Sequence, residues 1–262
     1  GFFEHDKTGM DFMNTWQEQC FHFGLKHEMK RVESVAKTGD NFTLTTEGGE
    51  KVEALTVIVC TGSTPKRSGV KGEDEYYGRG VSTCATCDGF FYKDKPVTVL
   101  GGGDTALEEA FFLSNICSDV YVVHRRDEFR AAPPTLDRAQ RKENIHLITN
   151  SVIDEILGDA MGVTGVNIKN NDGTMTHMAN TGLFIFVGHN VNNDVLKDEN
   201  GDFICVMNDW GQVIVDLKMR TSVEGLFAAG DMRIDAPKQV VSAAGDGAVA
   251  ALQVISYIQE QQ

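Results

Sequence analysis

Cys84 and Cys87, separated by Ala85 and Thr86 and followed at once by Asp88, are the residues most ready to do chemistry. Two cysteines at this spacing can close a small disulfide ring or supply half of a metal site. A zinc site would need a second CxxC or a close Cys/His pair, and the sequence offers neither. A structural pair and a redox centre remain. In the redox reading one thiol attacks or is attacked, and the other resolves the mixed disulfide. Asp88 is a candidate general acid that protonates the leaving thiolate. Its bland alternative is a turn Asp preceding Gly89.

The neighbouring motif favours the redox reading. Gly101-x-Gly103-x-x-Ala106, with Asp104 and Thr105 inside it, follows a strand predicted at 97–100 and opens a helix predicted over 105–115. Glycines there permit a tight turn and close approach of a pyrophosphate. A small Ala106 lets helix and strand pack closely, and the helix N-terminus attracts phosphate. The next predicted strand, 120–123, ends in His124-Arg125-Arg126-Asp127-Glu128-Phe129-Arg130. An NAD site usually carries an acid near that strand end for the ribose 2′-hydroxyl. Guanidinium forks suit a 2′-phosphate instead, so three Arg within six residues favour NADPH over NADH. A dithiol beside a nicotinamide site points to an enzyme that moves electrons from a nucleotide to a disulfide.

These residues need a scaffold. The chain of 262 residues, 41% hydrophobic, can bury one large core or two ordinary ones. Residues 10–23 have helical apolar spacing, and strand-like pieces follow at 29–35, 42–46 and 52–60. That is a β-meander ending in a buried strand, from which Thr61-Gly62 makes a tight exit. Residues 64–80, with Pro65 and four glycines, are the linker candidate. The strand–helix–strand alternation from Pro96 predicts a βαβ unit on a parallel sheet. Beyond it the pattern predicts a helix over 135–142 and strands at 145–148, 152–156, 163–168 and 183–187. Further strands are expected at 213–215 and 226–229. A final helix runs from about 239 to 259, its first half rich in Ala and Gly. Gly230-Asp231, between the last strand and that helix, is a plausible cofactor clamp. There an Asp can accept from a sugar hydroxyl, or simply cap a helix.

A net charge of −14 argues against nucleic acid or an anionic membrane as a partner. No apolar run approaches the roughly 18 residues of a membrane helix. Six cysteines, four of them scattered, do not make a secreted disulfide framework, so a reducing cytoplasm fits best. No metal is expected. The opening Gly1-Phe2-Phe3-Glu4-His5-Asp6-Lys7 has no initiator Met and no start signal, and the chain reads as beginning inside a larger unit.

Taken together, Cys84-Ala-Thr-Cys87-Asp88-Gly-Phe-Phe-Tyr92, the glycine turn through Glu109 and His124-Arg-Arg-Asp-Glu-Phe-Arg130 resemble the bacterial low-molecular-weight thioredoxin reductases. Gly225 to Asp231, Lys238-Gln239-Val240 and Ala243 to Gly247 resemble that family's C-terminal flavin motif. The resemblance implies an α/β protein of two Rossmann-like, three-layer nucleotide-binding domains. An NADPH domain over 67–190, carrying the CxxC, would be inserted into an FAD domain over 1–66 and 191–262. It implies a homodimer that passes electrons from NADPH through FAD to the Cys84–Cys87 disulfide and on to thioredoxin. Cys87 would be the flavin-proximal thiol and Cys84 the outward one. Thr61, Gly62, Gly230, Asp231, Lys238, Gln239 and Val240 would touch flavin. Gly101, Gly103, Asp104, Thr105, Ala106, His124, Arg125, Arg126 and Arg130 would hold NADPH.

The sequence departs from that family at its start. Nothing upstream of Gly103 supplies a GxGxxG for the ADP half of FAD, so the FAD domain is expected to lack its first βαβ unit. Two other readings follow: a flavoprotein reductase of a peroxiredoxin, or, for this chain alone, an NADP-binding module without flavin activity.

Overall fold

The computed structural model describes residues 8–261. Residues 1–7, read above as beginning inside a larger unit, lie outside them, as does Gln262. The chain divides at Gly62/Ser63 and Val191/Asn192 into two compact units. One is the continuous segment Ser63–Val191; the other joins the segments on either side of it.

The first unit opens with α1 (Gly9–His22), capped by Thr8 and Asp11 in a reciprocal capping box. An antiparallel meander follows: β1 (Val32–Thr38), β2 (Asn41–Thr46) and β3 (Lys51–Ala54), in that order across the sheet. The expected single strand over 52–60 is two. The chain leaves the meander at exposed Leu55, and β4 (Val57–Val59) joins a different sheet. A strand cannot stay in the meander while pairing elsewhere, and β4 finds its parallel partner near the C-terminus.

The second unit begins with β5 (Ser63–Pro65), α2 (Glu73–Tyr76) and β6 (Val81–Ser82). The expected linker is thus folded: Tyr76 and Glu73 are buried, and Lys71 bridges to Glu155. Next come α3 (Ala85–Asp88), β7 (Val97–Gly101), α4 (Asp104–Leu113), β8 (Val120–Val123), α5 (Pro133–Gln140) and β9 (Ile145–Ile148). The unit closes with β10 (Ser151–Asp159), β11 (Gly162–Asn170), β12 (Met175–Ala179), β13 (Leu183–Phe186) and β14 (His189–Val191).

Strands β6-β13-β7-β8-β9 form a five-stranded parallel sheet. One face packs Val97, Val99, Val120 and Val122 against Leu107, Ala110 and Leu113 of α4. The other packs Val81, Val123, Leu183 and Ile185 against Ile153, Ile156, Val166 and Ile168 of the antiparallel β10-β11-β12 sheet. Both faces are covered, so these strands are near-continuous apolar runs. Strands β5 and β14 pair antiparallel as a short ribbon.

Back in the first unit, β15 (Leu226–Ala228) pairs parallel with β4, and α6 (Val240–Glu260) packs Ala250 and Val254 near Phe227 and Ala229. The strand expected at 213–215 is absent. Buried Val213 makes only isolated bridges to Met207 and Arg233. Asx turns at Asn208 and Asp216, whose carboxamide and carboxylate accept from amides two and four residues on, curl the chain on either side. By length and mean hydropathy α6 is long and apolar enough to cross a membrane. Its Asp246, however, is buried and ion-paired to Arg233 within the unit. The architecture is α/β of Rossmann type, in two units.

Candidate active site

Cys84 and Cys87 are joined as a disulfide, with Cα atoms 5.3 Å apart. Cys84 caps α3, and its sulfur accepts from the Cys87 amide at 3.2 Å. Buried Ala85 seats this single turn in the core formed with α4. Cys87 is exposed and Cys84 half-buried, so the bond is open to a reaction partner. Asp88 follows on the same turn. Its carboxylate Oδ2 accepts from the Ser82 hydroxyl at 2.6 Å, and Ser82 Oγ in turn accepts from the Cys84 amide at 3.1 Å. Ser82 was not singled out from the sequence; a lone serine two residues before a CxxC carries no signal of its own. Phe90 and Phe91, on the turn after Asp88, are 67% and 75% exposed.

The glycine turn is built as the motif requires, and Gly102 belongs to it as well. A Cβ on Gly101 would stand 2.6 Å from both the Ala106 Cβ and the Phe186 carbonyl oxygen. One on Gly102 would stand 2.1 Å from Nδ1 of His124. One on Gly103, the N-cap of α4, would meet nothing within 4 Å. The first two glycines therefore allow close packing within the protein, and the third leaves space at a helix N-terminus where phosphate is favoured.

A cleft of about 510 Å³ lies over this turn. Gly101, His124, Arg125 and Arg130, expected to hold NADPH, line it with Gly102, and so do Lys66 and Arg67. These last two come from a distant segment, and only the fold brings the four cations together. Arg67 lies over the Tyr77 ring, 4.1 Å from its centroid. The buried Glu73 carboxylate holds its loop by accepting from the Ser68 and Gly69 amides. Arg126 is exposed and, like Thr105, does not line the cleft. Asp104 is exposed, and its Oδ1 accepts from the Ala132 amide at 2.8 Å. His124 is buried, stacked on Phe129, with Nε2 3.1 Å from the Glu128 carbonyl oxygen. Burial holds its pKa below the ordinary value, and the nearby Arg130, Arg126 and Arg125 add to that.

In the other unit, Thr61 lines a cleft of about 490 Å³ with Arg31, Val59, Cys60 and Asn192. Gly62, at φ 70°, accepts from the Asn192 amide at 3.0 Å. Gly230, Asp231, Lys238 and Gln239 lie elsewhere, on the turn and connection leading into α6, and Val240 is the first residue of that helix. Gly230, at φ 75°, donates to Asp246 Oδ2 at 3.1 Å, and Asp246 holds Arg233 bidentately at 2.6 and 2.8 Å. This pair was also missed, although a lone carboxylate in a small-residue helix is a signal that could have found it. Gly245 and Gly247 have nothing within 4 Å of a built Cβ, so the first half of α6 has open faces that a large planar or anionic group can approach. Among the described residues no cluster of three or more His, Cys, Asp or Glu is placed to hold a metal.

A disulfide beside an acid, in one unit with a Rossmann glycine turn and a basic cleft, defines a nucleotide-dependent disulfide oxidoreductase. Residues 9–247 match the family model described as pyridine nucleotide-disulphide oxidoreductase, and the chain belongs to that family. It is similar to the thioredoxin reductase of Helicobacter pylori, at 57% identity over 96% of this chain and 81% of that protein. It is 40% identical to the thioredoxin reductase of Vibrio cholerae, over 97% of this chain and 80% of that one. The solved thioredoxin reductase from Giardia duodenalis superposes with a TM-score of 0.92 at 36% identity, over 99% of this chain and 84% of that one. The protein is an oxidoreductase, and its family uses flavin and nicotinamide cofactors.

Proposed function

We propose that the protein is a thioredoxin-disulfide reductase that draws electrons from NADPH through FAD. The observation that carries this is the Cys84–Cys87 disulfide, open on one side and adjacent to Asp88. Bound flavin supplies two-electron transfer between nicotinamide and sulfur. The chain's own residues do the rest. Gly103 leaves room for the nucleotide's phosphates at the start of α4, and Arg125, Arg130 and Lys66 supply positive charge for a 2′-phosphate, while Arg67 is paired with Glu73 and Asp74 at 3.6 Å. Thr61, Gly62, Gly230, Asp231 and the Lys238-Gln239-Val240 connection are the proposed flavin contacts.

By the resemblance, reduced Cys84 is the nucleophile toward thioredoxin, although Cys87 is the more exposed of the two in the oxidised turn; Cys87 resolves the mixed disulfide, and Asp88 gives a proton to the departing thiolate. Exposed Phe90 and Phe91, on the turn after Asp88, offer the incoming protein an apolar surface. A homodimer in the cytoplasm completes the proposal, resting on the resemblance and on cysteine usage. The test is an NADPH-oxidation assay with oxidised thioredoxin on flavin-loaded protein. Turnover that depends on thioredoxin and disappears in Cys87→Ser supports the reading; flavin-loaded protein that binds NADPH but never transfers electrons to thioredoxin would sink it.

A further inference from the structure

Ser82 is the last residue of β6, 5% exposed, and its backbone is fixed by parallel pairing with Phe184. Its hydroxyl meets three groups of the redox turn. Oγ lies 2.6 Å from Asp88 Oδ2, 3.1 Å from the Cys84 amide nitrogen and 3.3 Å from the Cys84 carbonyl oxygen. A hydroxyl has one hydrogen to give and two lone pairs to accept with. It therefore cannot donate to the carboxylate and the carbonyl at once.

We propose that Ser82 is a positioning residue that holds Asp88 beside the disulfide in both of the acid's protonation states. The inference rests on the reading of Asp88 as the general acid. With Asp88 ionised, the Ser82 hydrogen points at Oδ2 and one lone pair takes the Cys84 amide. With Asp88 protonated, the carboxyl O–H donates to Oγ, the second lone pair is filled, and the Ser82 hydrogen turns to the Cys84 carbonyl. Rotation about one C–O bond exchanges the two arrangements, and no heavy atom moves.

The exchange reaction needs that property. The Cys84 thiolate attacks an acceptor disulfide; the acceptor S–S bond breaks, a mixed disulfide forms, and the departing thiolate takes the Asp88 proton. The Cys87 thiol then returns its proton to Asp88 and attacks Cys84 sulfur. The Cys84–Cys87 bond re-forms and the second acceptor thiolate leaves. Two electrons pass from the dithiol to the acceptor, and Asp88 visits both states in every cycle.

The experiment uses the chain with its disulfide chemically reduced, so it reads the dithiol directly without cofactor turnover. Rates of re-oxidation are measured by stopped flow with two acceptors. Hydroxyethyl disulfide releases a basic alkyl thiolate that needs a proton. Dithiobis-nitrobenzoate releases an aryl thiolate that does not. Ser82→Ala should slow the alkyl reaction about tenfold and leave the aryl reaction unchanged. Ser82→Thr, which keeps the hydroxyl, should restore the alkyl rate. Ser82→Ala combined with Asp88→Asn should be no slower than Asp88→Asn alone. An unchanged alkyl rate in Ser82→Ala, with Asp88→Asn still slow, overturns the role of Ser82 and spares that of Asp88. Equal slowing with both acceptors also overturns it, because that is damage to the turn. An unchanged alkyl rate in Asp88→Asn overturns the reading of Asp88 and this inference with it.

Discussion

The backbone amide of Arg130 donates to the carbonyl oxygen of Gly102 at 2.7 Å. With the Asp104 carboxylate holding the Ala132 amide at 2.8 Å, it fastens the arginine-bearing loop to the glycine turn at two points. The phosphate-accepting turn and the charges proposed to select the 2′-phosphate are therefore one rigid device, although they lie on successive strand ends. The link is a backbone bond, so the Arg130 side chain remains available to the cleft it lines.

That division predicts the effect of removing the side chains. Arg130→Ala and Arg125→Ala each weaken NADPH binding by about tenfold or more, the worth of a charge-assisted hydrogen bond. NADH binding changes little. Arg126→Ala, outside the cleft wall, has the smallest effect of the three. Titration of each variant with both nucleotides, read by protein fluorescence, checks this; an unchanged preference for NADPH in Arg125→Ala and Arg130→Ala contradicts the assignment.

Adjacent glycines should fail in different ways. A Cβ on Gly102 overlaps the His124 ring, so Gly102→Ala destabilises the protein by about 1–3 kcal/mol through overpacking. Gly103 has an ordinary φ of −97° and open space around it, so Gly103→Ala stays within about 0.5 kcal/mol of the parent yet loses affinity for NADPH. Chemical unfolding and nucleotide titration of the two variants separate these outcomes, and equal destabilisation of both contradicts the turn geometry.

The arginine prediction could be framed from sequence only in part. The βαβ unit was legible because its strands are apolar on both faces and its glycines sit at a strand end, both local signals. Lys66 and Arg67 were not, since they reach the cleft from a segment that reads as a loop until Glu73 and Tyr76 bury themselves. Strand β12 went unseen because Met175–Ala179 is mostly exposed and exists only by pairing with β11. Ser82 carries no motif; its meaning comes from where β6 ends. Val213 misled in the opposite sense, being apolar and buried but flanked by Asx turns that end any strand there.

His124 should titrate below the ordinary histidine value. Burial favours its neutral form, as do the surrounding arginines, and the bond to the Glu128 carbonyl only partly opposes them. A depressed folded-state pKa means that its stabilising contribution is present above the unfolded value, about 6.5, and is lost as pH falls through the lower folded value. Proton NMR of the imidazole resonances checks this, and a midpoint at or above the ordinary value contradicts the burial of the ring.

Among the remaining cysteines, burial raises the Cys117 and Cys205 thiols to about 11, with Asp94 adding to the shift at Cys117. The thiolate is the reactive form. Both should therefore resist iodoacetamide near neutral pH, where exposed Cys20 is labelled, and become reactive only as pH climbs toward 11. Their stabilising contribution runs the same way: full below the unfolded value, about 8.5, and lost as pH rises through the folded one. Peptide mapping after timed alkylation reads each site, and labelling of Cys117 at the rate of Cys20 contradicts its burial.

In the proposed function Cys84 and Cys87 are the end of the electron path. Flavin-loaded protein, incubated anaerobically with NADPH and then alkylated, should gain label at Cys84 and Cys87, as mapped by mass spectrometry. Oxidised thioredoxin added before alkylation should remove that gain. If NADPH is consumed and both cysteines stay unlabelled, or if thioredoxin leaves the label in place, the disulfide is not the redox centre and the function proposed for this protein is wrong.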